Sequence, residues 1–276
     1  GYHLQRSGWG DRGRAYAEED RSRQIRVYEG AVESLSDAGG RGVGIRAFLD
    51  GRSGHAYGTD LSDDGLKGLA QAAVDTARVS DPDEYGGLAD RTGTTDVEGL
   101  HSPALADWST EAKVDLALEV ERAARSHEGI SQVEDTVYAD GEGTVALANS
   151  EGFASQFSLS SAHAYASAFA GQGEDLMTGL GVDLARDPGG LDPKAIGDEA
   201  AERALALTGA RQPGSRRCPV VLDSFVSASF IGFIGAMLSA DAVQRGRSLF
   251  AGREGDEVAD PALRLTDDGT DPEGPS

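Results

Sequence analysis

The sequence predicts an α+β fold: an N-terminal antiparallel meander plus a helix, a central long β-hairpin sheet with flanking helices, and the beginning of a C-terminal β-rich domain. Three observations carry that expectation. Short apolar–polar alternations are punctuated by the turn dipeptides Glu29-Gly30 and Asp50-Gly51. A period of two persists from Phe153 to Phe169. Between these runs lie segments with apolar residues at helical spacing, opened by Ser, Thr or Asp residues suited to cap a helix.

Taken in order, residues 1–20 are polar and without a clear period, which predicts an irregular tail. Ile25 and Val27 alternate with Arg26 and Tyr28, then Glu29-Gly30 turns the chain into Val32–Leu35. Val43, Ile45, Ala47 and Leu49 form a second alternating run that ends in Asp50-Gly51, a dipeptide that tolerates both positive φ angles of a type I′ hairpin. Gly54–Tyr57 is the expected returning strand. Ser62 is placed to cap a helix whose stripe is Leu66, Leu69, Ala70, Ala73 and Ala77, closed by Ser80-Asp81-Pro82. These elements make residues 21–95 an N-terminal α+β domain, and the stretch from Asp83 to about Asp107, rich in Gly, Asp and Thr, reads as a linker.

Residues 96–212 read as a central helix and long-hairpin domain. A helix starts at Ser109 or Thr110 and runs to about His127, with Leu116, Val120, Ala123 and Ala124 on one face. From Phe153 to Phe169 one strand face is bulky, with Phe157, Leu159, His163 and Tyr165, and the other is small, with Ala162, Ala164, Ala166 and Ala168. Met177–Leu184 is the returning strand. The small face suits either the close approach of another backbone, such as a bound peptide, or tight packing under a helix, and both readings stay open. Asp192-Pro193 opens a third helix lined by Ile196, Ala200, Ala204 and Leu207 and stopped by Gly209. Pro219–Asp223 reads as a short buried strand, Phe225–Leu238 as a helix and Ala262–Thr266 as strand-like.

Composition limits the function classes. Among 276 residues, 25 Lys and Arg against 47 Asp and Glu leave a net charge of −22, which opposes binding to phosphate backbones or anionic lipid. The only basic groupings are Arg216-Arg217 and the cluster of Arg21, Arg23 and Arg26. No apolar run is long enough to span a bilayer. The single Cys218 cannot form an internal disulfide, which suits a cytoplasmic location, and its apolar neighbours suggest a buried structural thiol. The chain opens on Gly1 rather than Met and closes in TDDGTDPEGPS, which suggests a piece of a longer reading frame.

Generic chemical motifs are weak. His3, His55, His101, His127 and His163 stand far apart, without the i, i+4 pairing of a helical zinc site. Gly51–Gly54 lacks the pattern of a nucleophile elbow and is better explained as a hairpin turn. Asp267-Asp268-Gly269 reads as a turn.

Longer stretches carry more information. RSRQIRVYEGAVESLSDAGGRGVGIRAFLDGRSGHAYGTDLS (Arg21–Ser62) resembles the N-terminal region of the TldD/PmbA family, the so-called modulators of DNA gyrase. The segment Val220–Thr270, with V-V-L-D, Q-R-G-R-S and G-x-x-V-A-x-P-x-x-x-x-x-D-D, resembles the start of that family's C-terminal domain. Residues 213–276 are on this footing the N-terminal part of a metallopeptidase-like domain that family members extend well past residue 276. The resemblance implies a cytoplasmic, heterodimeric zinc peptidase acting on unfolded or leader peptides. Its TldD-like catalytic subunit carries an H-E-x-x-x-H helix, with zinc held there and water activated by the glutamate.

In this chain the matching segment reads I-G-F-I-G-A, with Ile231 and Ala236 at the histidine positions and Gly232 at the glutamate position. The resemblance is therefore to the PmbA (TldE) type of partner subunit, with no metal or catalytic residue of its own and zinc expected in its TldD-like partner. An unfolded peptide is the expected substrate of the pair, with neither nucleic acid nor membrane as a partner. Ala162, Ala164 and Ala166 are the candidate peptide-binding residues. The alternatives are a stand-alone interaction protein, acting on gyrase or a toxin–antitoxin component, and a free-standing peptidase whose site uses other residues.

Overall fold

The computed structural model describes residues 12–88, 94 and 96–271. One compact unit runs as far as Ala210, and a second comprises Arg211–Gly269. The first is built on a six-stranded antiparallel sheet of β1 (Arg12–Tyr28), β2 (Ala31–Leu49), β3 (Arg52–Gly58), β4 (Ile130–Asn149), β5 (Ala154–Ala170) and β6 (Met177–Ala185). The spatial order is β3-β2-β1-β4-β5-β6, so the two halves mirror each other about the central β1–β4 pair. Each half is a three-stranded meander followed by a helix packed on its outer strands. In the first half this is α1 (Asp63–Val79); in the second it is α3 (Pro193–Ala206), joined there by α2 (Thr110–Arg125).

Local chemistry sets the turns and caps. Glu29 and Gly30 take φ of 52° and 77°, and Asp50 and Gly51 take 49° and 71°, so both two-residue hairpins adopt the left-handed backbone that a type I′ turn requires. The hydroxyls of Ser62 and Ser109 accept from Gly65 N and Ala112 N at 3.1 and 3.2 Å, and the Asp192 carboxylate accepts from Ala195 N at 3.0 Å.

All three helices lie on one face of the sheet. On that face Ile25, Val27, Tyr138, Ala162, Ala164, Ala166 and Ala168 are buried against Leu116, Val120, Ile196 and Ala200. A second cluster joins Val43, Ile45 and Ala47 to Ala73 and Val74 of α1. Two glycines permit this close packing. A Cβ on Gly54 of β3 would run into the backbone of α1 at Ala73, Thr76 and Ala77. A Cβ on Gly179 of β6 would meet α3 at Ala200, Arg203 and Ala204 in the same way. The two edges of the sheet therefore repeat one packing solution.

Several sequence expectations change. Residues 12–20 are not an irregular tail: they are the first half of β1, paired with β2 on one side and β4 on the other. Residues 1–11 lie outside the described residues. Two ladders supply the order that the weak apolar pattern of this segment does not announce. Strand β4 has no counterpart among the elements read from sequence. Because β1 pairs with β4 from Arg14↔Asn149 to Val27↔Thr136, residues 21–95 and 96–212 contribute to one sheet.

The Arg211–Gly269 unit contains α4 (Ser224–Leu238) and α5 (Ala240–Gln244). Pro219–Asp223 is not a buried strand: Val220 and Val221 are 73% and 97% exposed, and among the described residues no strand pairs with this segment. Ala262–Thr266 is likewise irregular, and Cys218 is exposed rather than buried.

Candidate functional site

The positions singled out by sequence fall in three places. Ile231, Gly232 and Ala236 lie on α4, which Asp223 caps by accepting from Val226 N at 2.8 Å. Ile231 is exposed, along with Phe225, Val226, Phe230, Phe233 and Leu238, so α4 is apolar around its whole circumference. The side chains at 231, 236 and 232, a butyl group, a methyl group and a hydrogen, cannot donate to a metal ion.

Ala162, Ala164 and Ala166 are each 0% exposed, under α2 and α3. The expectation that they bind peptide is corrected: a helix occupies the space an incoming backbone would need. The reason lies in α3, whose Ala200 and Ala204 present side chains as small as those of the strand. His163 sits on the opposite sheet face, with Tyr165, whose hydroxyl donates to Asp135 at 3.0 Å.

The third place was not foreseen. On the helix face, a cleft of about 310 Å³ opens beside the α2 N-terminus, lined by Arg21, Arg23, Asp37, Trp108, Lys113 and Asp140 among others. Within it the buried Lys113 Nζ lies 2.8 Å from the buried Asp140 carboxylate. Tyr138 donates its hydroxyl to the same carboxylate at 2.6 Å. Burial first, and then the bond to Asp140, pushes the Tyr138 phenol far above its ordinary value, so it stays protonated.

Arg23 forks onto Asp37 at 2.6 and 2.8 Å and reaches Thr110 Oγ1 at 2.5 Å. The guanidinium bond holds the Asp37 carboxyl below its usual range. At the mouth, His101 Nε2 stands 3.4 Å from Glu142. On the far side of α2, the Glu121 carboxylate accepts from Gly30 N at 2.8 Å, tying the β1–β2 turn to the helix.

An ion-paired lysine and a phenol held in its protonated form offer no activated nucleophile. The cluster fixes α2 to β1, β2 and β4. A signal for it exists in the sequence: Lys113 occupies the same helical stripe as Ala117, Val120 and Ala124, and a lysine in a buried stripe calls for an anionic partner. Among the described residues, no three His, Cys, Asp or Glu side chains are grouped closely enough to hold a metal together.

Models of known protein families match three stretches of the chain. Residues 13–77 match domain 1, residues 103–208 the central domain and residues 215–276 the C-terminal domain of the PmbA/TldA metallopeptidases. Together the three matches cover most of the sequence in the family's own order. The chain belongs to the PmbA/TldD metallopeptidase family.

Metalloprotease PmbA of Escherichia coli O157:H7 is 26% identical over 223 residues, which are 78% of this chain and 49% of that protein. This PmbA/TldD-family chain thus spans about half the length of the curated relatives it matches. A solved structure from Bacteroides thetaiotaomicron, described as a candidate modulator of DNA gyrase, superposes with a TM-score of 0.78 at 22% identity, covering 88% of this chain and 56% of the other. TldE from Thermococcus kodakarensis gives 0.62 at 18%, covering 71% and 45%. At these identities the two structures establish a shared fold. No helix among the described residues is long and apolar enough to cross a membrane.

Proposed function

We propose that this chain belongs to the zinc-less, TldE-like subunit of a heterodimeric peptidase that degrades unfolded peptides or trims leader segments. The observation that carries this reading is chemical: α4 offers Ile231, Gly232 and Ala236 where a catalytic member needs two zinc ligands and a base. Such a subunit supplies surface rather than chemistry, and its exposed apolar helix α4 suits packing against another protein mass. Zinc, the general base and peptide-bond hydrolysis belong on this reading to a TldD-like partner in the same cytoplasm.

The test is reconstitution. The chain is mixed with a TldD-like protein carrying H-E-x-x-x-H, and cleavage of unfolded casein is followed with each protein alone and with both together. The expected result is no cleavage by this chain, and more cleavage by the pair than by the partner alone. Equal rates for the pair and the partner would sink the subunit assignment. Stoichiometric zinc in the isolated chain would favour a free-standing peptidase instead. Capture of a gyrase or toxin–antitoxin component, with no gain in cleavage, would favour the regulatory alternative.

A further inference from the structure

The two edges of the sheet are built alike and finished differently. Superimposing Gly54 with its α1 neighbours Ala73 and Ala77 on Gly179 with its α3 neighbours Ala200 and Ala204 makes His55 equivalent to Leu180 and Tyr57 to Val182. On the β6 edge, outward backbone groups are capped by α3. Arg203 Nη1 donates to Leu180 O at 2.7 Å, Glu199 accepts from Val182 N at 3.2 Å, and the two side chains pair at 2.7 Å. This clasp occupies the groups that an added strand would use. The α1 residues equivalent to Glu199 and Arg203 are Ala72 and Thr76. Alanine cannot reach the edge, and the Thr76 hydroxyl donates within its own helix to Ala72 O at 2.8 Å.

Strand β3 is consequently open. Its two-residue hairpin with β2 places the bonded pairs at Leu49↔Arg52, Ala47↔Gly54 and Ile45↔Ala56, so the N–H and C=O of His55 and Tyr57 point away from the sheet. Pro82 makes a single antiparallel bridge beside Arg52, and Asp83 N donates to Gly51 O at 2.8 Å. Past that bridge, among the described residues, no hydrogen bond engages the outward backbone groups of His55 or Tyr57. The Tyr57 ring beside them is 85% exposed.

Exposed carboxylates flank the edge: Asp60, Asp63 and Asp64 follow its far end, and Asp81 and Glu84 lie by the Pro82 bridge. Arg52 is turned away, its guanidinium engaged with Ser80 O. A second copy of a chain carrying −22 brings like charge to this surface, whereas a cationic segment brings the complement.

We propose that the outward edge of β3 at His55–Tyr57 is a docking edge for an extended, net-cationic peptide segment, held by backbone hydrogen bonds. The proposal rests on the reading that this chain serves a peptidase and deepens it by naming where an unfolded substrate is held. Its test needs no partner. Binding of a dye-labelled eight-residue Lys-Val alternating peptide to the full chain is measured by fluorescence anisotropy. Comparison peptides are the Glu-Val analogue and a Lys-Val peptide N-methylated on alternate amides.

Two variants probe the edge. Ala72→Glu with Thr76→Arg transplants the clasp onto α1 at exposed positions. Tyr57→Pro deletes one outward N–H while leaving the ladder to β2 intact. The Lys-Val peptide should bind the parent chain. Both variants and both altered peptides should weaken binding by about tenfold or more, with thermal unfolding of the variants unchanged.

Equal binding by the N-methylated peptide, or by the clasped variant, overturns the proposal, as does no binding of the Lys-Val peptide at all. Dimerisation of the parent chain in sedimentation that Tyr57→Pro abolishes, without peptide binding, assigns the edge to a second copy and also overturns it. Peptide binding at the edge with no gain in partner-assisted cleavage would sink only the subunit reading.

Discussion

Replacing Gly179 by Ala tests the packing that holds each outer strand under its helix. The added Cβ would stand 2.9 Å from Arg203 C and closer still to Ala200 O and Ala204 N, where ordinary Cβ contacts fall at 3.4–4 Å. All three obstacles are backbone atoms of α3, so no side chain can swing aside and the strand and helix must separate. Overpacking of this kind costs about 1–3 kcal/mol, and the loss of unfolded-state freedom on replacing Gly offsets only about 0.5–1 of it. A net destabilisation of about 1–2 kcal/mol is expected, or roughly 2–8 °C in melting temperature for a unit of this size.

Gly54→Ala should cost a similar amount, because the Cβ meets Ala73, Thr76 and Ala77 in the equivalent arrangement. Gly44→Ala is the control: nothing lies within 4 Å of its Cβ position, so stability should hold or rise slightly. Urea unfolding followed by circular dichroism, with equal m-values for parent and variants, gives the three numbers. If Gly179→Ala and Gly44→Ala unfold at the same urea concentration, the close strand–helix approach is not a feature of the folded protein and the equivalence of the two edges loses its basis.

The charge cluster under α2 makes its own predictions. Lys113→Met strands the buried Asp140 carboxylate and should cost about 3–5 kcal/mol, while Lys113→Met with Asp140→Leu should recover most of that loss; a double-mutant cycle in urea measures both. Tyr138→Phe removes a hydrogen bond to a charged acceptor and should cost about 1.5–3 kcal/mol in the same assay.

Asp198 is held below its ordinary pKa by Lys194 first and His127 second. A carboxyl depressed in the folded state contributes stability that is present above the unfolded carboxylate value of about 4 and is lost as pH falls through the lower folded value. The melting temperatures of parent and Asp198→Asn should therefore differ at pH 5–6 and converge in strong acid. A gap that persists unchanged to pH 2 would remove the ionic explanation.

Much of the fold was legible because local signals agreed. Asp50-Gly51 takes the turn its dipeptide suits, Ser62, Ser109 and Asp192 cap the helices they precede, and the period of two from Phe153 matches β5. The segments that escaped reading owe their structure to distant partners. Arg12–Asp20 carries charges at Arg12, Arg14, Glu18, Glu19 and Asp20 and becomes a strand because it is paired along both edges. Ser36–Gly42 looks like a loop yet continues β2 across from β1. Conversely, Pro219–Asp223 has a strand's composition but joins no ladder among the described residues.

The candidate site divides the same way. That Ile231, Gly232 and Ala236 carry no group able to donate to a metal is written in residue identity. The burial of Ala162–Ala166 depended on which of two partners, peptide or helix, filled a small face. The edge at His55 and Tyr57, open among the described residues, is defined by what α1 lacks at Ala72 and Thr76, a comparison that exists only once both helices are seen over their glycines.

The position of β1 in the middle of the sheet bears on how the polypeptide emerges from the ribosome. Its first neighbour, β2, follows directly, but Arg21 meets its other neighbour at Glu142, 121 residues later. At ordinary rates of synthesis the flank of β1 that awaits β4 stays unpaired for on the order of ten seconds, while the first meander and α1 are already complete. That interval is when a nascent chain is most open to wrong pairing. The charged residues of Arg12–Asp20, which hid the strand from a reading by hydrophobic pattern, are suited to keeping that waiting flank soluble until its partner arrives.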